Sequence, residues 1–161
     1  MPFSEISCIE TIRTPLVADD KPGVIQELVS VLVAAGRIDP LDKAGVERAV
    51  VKREELGTTG IGLGVAIPHS KHIGVDRVVA AVGIHTVGVD FHSLDGRPAH
   101  LFFLLLSPPD APADHLRALE TISRQLRDEN LRSLLKQATT AEQVWQLLEQ
   151  ADEKALVPST S

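Results

Sequence analysis

Apolar positions change period several times along the chain, and each change marks an element. Val24/Ile25, Leu28/Val29 and Leu32 recur at helical spacing after Asp19-Asp20-Lys21-Pro22, and Gly36 stands where a helix C-cap is expected. Asp39-Pro40 announces a second helix, which carries Leu41, Val46 and Val50 and should stop at Gly57, with Arg53 in its last turn. Between Gly57 and Gly64 the chain is too rich in glycine for a regular element. The pattern then becomes that of strands. Val65-Ala66-Ile67 leads into Pro68-His69, and Val78–Ile84 and Leu101–Leu106 are continuous apolar runs. Such runs suit strands buried on both faces, which requires helices above and below the sheet. Asp95-Gly96 predicts a turn between Val87–Leu94 and the strand after Pro98. From Asp114 the period returns to 3.6, with Leu116, Leu119, Ile122 and Leu126 on one face. A short helical piece, Leu131–Gln137, follows. A last helix starts at the capping-box pattern Thr140-Ala-Glu-Gln143 and buries Val144, Leu147 and Leu148. Residues 1–18 read as a leader with one short strand, and the chain from Asp152 as a polar, frayed tail. Two helices, several strands, then helices: the order predicts an α/β fold, a three-layer sandwich with a mixed β-sheet between helical layers.

Composition narrows the functional classes. At 161 residues the chain is about one domain long, and 43% hydrophobic against 24% charged residues supports a packed core. The longest apolar strand run is far short of a membrane span, and Met1-Pro-Phe-Ser-Glu is no secretory signal. A single cysteine, Cys8, builds no disulfide framework and reads as structural, so a reducing cytoplasm is the simplest home. Net charge −6 and a lack of aromatic platforms argue against nucleic acid as a partner.

The chemistry concentrates in Arg53-Glu-Glu-Leu-Gly-Thr-Thr-Gly-Ile-Gly-Leu-Gly-Val-Ala-Ile-Pro-His69-Ser-Lys71. Gly60, Gly62 and Gly64 alternate and precede a strand, which is not the Gly-x-Gly-x-x-Gly of a dinucleotide site, and no Gly-Lys-Ser/Thr closes a P-loop. Alternating glycines let backbone N–H groups approach an anion, Thr58 and Thr59 add hydroxyls, and Arg53 and Lys71 add positive charge. His69 is the one nucleophile at the end of this cradle, and its imidazole is mostly neutral near pH 7. The set suits covalent acceptance of a phosphoryl group, a reaction that rests on positioning and charge. Each residue also has a plain structural reading: a connecting glycine, a dipole-complementing Arg53, a solvated Lys71, a surface His69. His69-x-x-His72 and the His92/His100 pair suggest a metal, but no acidic or cysteine ligand accompanies them at metal-site spacing, so none is expected.

These residues resemble the signature of the type 2 enzyme IIA domains, the fructose/mannitol and nitrogen-related class of the bacterial phosphoenolpyruvate-dependent phosphotransferase system. Val89-Asp-Phe-His-Ser-Leu-Asp-Gly96, His100-Leu-Phe-Phe-Leu-Leu-Leu106 and His115-Leu-x-x-Leu119 extend the resemblance. It implies a domain over 1–151, followed by a C-terminal tail over 152–161. It also implies phosphoryl transfer at Nε2 of His69, with His115 beside it and Arg53 holding the site. His115 near a helix start also suits an anion. The implied donor is the histidine phosphocarrier HPr or its nitrogen-branch paralogue, and no cofactor is implied. Onward partners are a regulatory target protein or, in the sugar-transport alternative, an enzyme IIB cysteine; a third alternative is a pure interaction domain of the same fold. The lack of room for a second domain after Gln150 leans the expectation toward regulation. His72, His85, His92 and His100 match no role implied by the resemblance.

Overall fold

The computed structural model of the protein describes residues 1–156. Its centre is a six-stranded sheet in which β5 (Val79–Val89) and β6 (Ala99–Ser107) form the antiparallel spine. β1 (Ile12–Arg13) adds in parallel to β5, while β3 (Val65–Ala66) and β4 (His69–Lys71) both add in parallel to β6. β2 (Gly60–Gly62) closes the edge against β3 in antiparallel fashion. The sheet is therefore mixed, as expected.

Because successive strand residues face opposite sides, β6 feeds two separate cores. Leu101, Phe103 and Leu105 pack with α4 (Pro112–Gln125), α5 (Glu129–Gln137) and α6 (Ala141–Leu156). Phe102, Leu104 and Leu106 pack with α2 (Lys21–Ala34) and α3 (Lys43–Glu55). Those six side chains are at most 2% exposed, which only helices on both faces can achieve. α2 begins at Asp20, whose carboxylate accepts from Gly23 N, with Pro22 in its first turn, and Gly36 beyond its end takes φ +73°.

Several boundaries differ from the sequence reading, each for a physical reason. Residues 1–18 are not a leader: α1 (Phe3–Ile6) buries Phe3 completely, and the Asp152 carboxylate accepts from Phe3 N at 2.7 Å and Ser4 N at 3.1 Å. That contact also orders the far end, where α6 runs to Leu156 instead of fraying from Asp152; residues 157–161 lie outside the described part. The glycine-rich stretch does form a strand by pairing with β3, and Gly60 is required within it because a Cβ would meet Ser93 Oγ at 2.5 Å. Asp39-Pro40 opens a short 3-10 turn, Pro40–Asp42, leaving Leu41 exposed, and the helix proper starts at Lys43. β5 ends at Val89 rather than at Leu94, and Asp95-Gly96 turns, as expected, within the loop that joins it to β6. On α4 the buried face is His115, Ala118, Thr121 and Ile122; Leu116, read as core, is 67% exposed. Leu147 is only partly buried.

Candidate active site

His69 opens β4, paired with Leu105 near the C-terminal end of β6. Pro68 before it lacks an N–H but offers its carbonyl to Leu105 N. The Nδ1 of His69 lies 2.8 Å from the carbonyl oxygen of Ile67. A carbonyl only accepts, so Nδ1 carries the proton and Nε2 holds the lone pair. Burial holds the His69 pKa below its ordinary value; the Ile67 hydrogen bond opposes this, the Arg53 charge adds to it, and Glu54 opposes it. A lowered pKa keeps the ring mostly neutral at pH 7, and among the described residues Nε2 has no hydrogen-bond partner.

His115 sits in the first turn of α4, its ring centroid 5.6 Å from that of His69 and tilted by 60°. It is 7% exposed, and burial, then the neighbouring His69 and Lys71, push its pKa down to about 4. Lys71, exposed two residues after His69, thus lies close enough to be felt at His115. Arg53, at the end of α3, donates from Nη1 to Gly57 O at 2.9 Å, and its charge reaches His69. His69 and His115 therefore stand side by side, with the charge of Arg53 felt at His69 and that of Lys71 at His115.

The glycine cradle is not built as expected. The pairings Val65↔Leu101 and His69↔Leu105 put Val65 and His69 roughly 13 Å apart along β6 at ~3.3 Å per residue, with Gly64 beyond Val65 on the far side. Gly62 and Gly64, at φ +91° and +76°, serve the β2–β3 hairpin instead, where Asp95 accepts from Leu63 N at 3.0 Å. Gly60 N donates to Thr58 Oγ1, which in turn donates to Phe91 O at 2.7 Å. Thr59, buried, donates from both N and Oγ1 to the Glu54 carboxylate. The threonine hydroxyls hold the loop after α3 in shape; they are not free donors for a phosphoryl group.

Glu54 escaped the sequence reading although it follows Arg53 directly. Its carboxylate, 7% exposed, pairs with Lys21 Nζ at 2.7 Å as well as with Thr59, tying α2, α3 and the loop into one unit. Its signal was a carboxylate one turn before Gly57-Thr-Thr. Ser107 escaped as well: fully buried at the end of β6, its Oγ lies 2.5 Å from His115 Nδ1. The surplus histidines have local tasks. His72 Nδ1 accepts from Gly74 N, His85 Nδ1 accepts from Gly88 N, and His100 Nδ1 donates to His85 O. His92 takes a positive φ in the loop after β5. Among the described residues no group of three or more His, Cys, Asp or Glu is placed to hold a metal ion, and no helix is long and apolar enough to cross a membrane.

Comparison with known proteins identifies the family. The family described as "Phosphoenolpyruvate-dependent sugar phosphotransferase system, EIIA 2" matches residues 6–151. A nitrogen regulatory protein of Bradyrhizobium diazoefficiens is 35% identical over 161 residues, covering 100% of this chain and 99% of that protein. A fructose-specific EIIA component of Haloferax volcanii is 36% identical over 146 residues, covering 91% and 94%. The fructose-specific EIIABC component of Bacillus subtilis is 36% identical over 152 residues; 94% of this chain matches, but only 24% of that longer protein. Among solved structures, the nitrogen regulatory protein IIA-Ntr of Neisseria meningitidis superposes with a TM-score of 0.81 at 32% identity, covering 89% of this chain and 97% of that one. The chain thus belongs to the type 2 enzyme IIA family of the phosphoenolpyruvate-dependent phosphotransferase system.

Proposed function

We propose that the protein is a phosphoryl carrier that accepts a phosphoryl group on Nε2 of His69 from HPr or a nitrogen-branch paralogue of HPr, and that it acts in regulation. The observation that carries the chemistry is the hydrogen bond from His69 Nδ1 to Ile67 O, which leaves Nε2 as the nucleophile beside His115. The P–N bond of the donor phosphohistidine breaks, its electron pair returns to the donor imidazole, and a new P–Nε2 bond forms on His69. The Ile67 carbonyl stabilises the positive charge that builds on the ring as that bond forms. Arg53, Lys71 and the His115 ring stabilise the transferring oxygens, the last from the first turn of α4, where the helix dipole also favours anions. No metal or cofactor takes part in this reading.

The regulatory role draws on the similarity, over nearly the whole of both chains, to a nitrogen regulatory protein and on the IIA-Ntr superposition. The fructose-specific relatives support a second reading, in which the phosphoryl group passes on to an enzyme IIB cysteine. The test starts from preformed phospho-HPr. Wild-type protein should gain one acid-labile, alkali-stable phosphoryl group mapped by mass spectrometry to His69, and His69→Ala should gain none. Label on another residue, or full labelling of the variant, overturns the reading. Rapid discharge onto an enzyme IIB coupled to sugar uptake selects the transport alternative.

A further inference from the structure

We propose that Ser107 is a positioning residue for His115: its hydroxyl donates to Nδ1 and so keeps the ring proton on Nε2, as a hydrogen-bond donor for a phosphoryl group on His69. This rests on the phosphocarrier reading of His69. The hydroxyl is 0% exposed, and among the described residues its one hydrogen-bond partner is His115 Nδ1, at 2.5 Å. The Ser107 carbonyl is separately occupied, accepting from His72 N at 3.1 Å. If Nδ1 carried the proton instead, the serine hydroxyl proton would be buried with no acceptor, an arrangement that folded proteins avoid. With the proton on Nε2, both groups are satisfied.

The tautomer matters because of what stands next to it. A neutral imidazole with its lone pair on Nε2 would oppose phosphoryl oxygens at His69, whereas Nε2–H donates to them. A hydroxyl is both donor and acceptor. The site uses its donor capacity: a proton on Nδ1, in the other tautomer or in the imidazolium, would leave the buried hydroxyl proton without an acceptor, so Ser107 favours the neutral ring protonated at Nε2. The residue sits where β6 meets the chain leading to α4, so strand register sets the position of the hydroxyl relative to the helix. Alanine would remove that donor; threonine keeps it.

NMR of labelled imidazole nitrogens reads the tautomer directly in the wild-type protein, and should show His115 protonated at Nε2 and accepting at Nδ1. Ser107→Ala should lose that preference and slow transfer from phospho-HPr to His69 by about tenfold, less than the ~10²–10³ of deleting a charge-stabilising donor outright. Ser107→Thr should restore both readouts. A wild-type His115 protonated at Nδ1 overturns the proposal, whatever the variants do. So does a slower Ser107→Ala whose tautomer is unchanged, since that result assigns Ser107 to packing alone. Wild-type protein that takes no phosphoryl group on His69 defeats the phosphocarrier reading instead, and the tautomer measurement separates the two failures.

Discussion

At the scale of single residues, the proposed carrier separates a nucleophile from the groups that surround it. His69 has its Nδ1 occupied by Ile67 O, and in that proposal Arg53 and His115 act on charge and form no bond to phosphorus. Arg53→Ala and His115→Ala should each slow transfer by ~10²–10³ while leaving His69 able to take the phosphoryl group. Stopped transfer kinetics measured on both variants check this, and wild-type rates in either remove that residue from the site. Because the pKa of His69 lies below the ordinary histidine value, its lone pair stays available as pH falls through 6.5. The pH profile of transfer, taken with a donor held fully phosphorylated, should therefore fall off at lower pH than the titration of a free histidine.

At the scale of elements, the shortest helix has an outsized part. α1 is four residues long and has no stability of its own. It is held by Phe3, wholly buried with its ring centroid 5.8 Å from that of Phe103, and by the Asp152 carboxylate at its N-terminus. Phe3→Ala should cost about 3–5 kcal/mol, and Asp152→Ala about 1 kcal/mol, both read from denaturant unfolding. The Phe3 loss falls on the core that packs α4 under His115, so thermal unfolding and transfer activity should fail together. The loop after α3 depends on a different device. Glu54 is buried and satisfied by Lys21 and Thr59, so the loop beside His69 is set by ionic and hydrogen-bonded contacts rather than by glycine conformation.

At the scale of the whole molecule, the two site histidines link stability to pH. The folded pKa of His115 is depressed to about 4 against an unfolded value near 6.5. Between those values the unfolded chain binds a proton that the folded protein refuses, so this contribution is complete above pH 6.5 and is lost as pH falls toward 4. His69, shifted in the same direction, adds to it. Denaturant unfolding should give a lower free energy at pH 5 than at pH 7. In His115→Gln that difference should shrink, and an unchanged difference would contradict the assignment.

The local pattern of the chain was enough for the three layers. Continuous apolar runs at Val78–Ile84 and Leu101–Leu106 demand cover on both faces, and the flanking helical periods supply it. The neighbourhood of His69 and His115 was also legible, through motif spacing and family resemblance. Periodicity cannot report strand register, and register moved Gly62 and Gly64 away from His69 to the far end of β6. It cannot report long-range contacts either, so Phe3 and Asp152, at opposite ends of the chain, read as leader and tail until tertiary structure joined them. Leu116 looked like core because a leucine fits an apolar stripe. Packing instead turned His115 inward, where Ser107 meets its buried edge, and left the leucine in solvent. Residue chemistry and period are local properties that a sequence carries openly. The partners of Glu54 and Ser107 depend on which strands and helices come to lie side by side, and only the packed fold decides that.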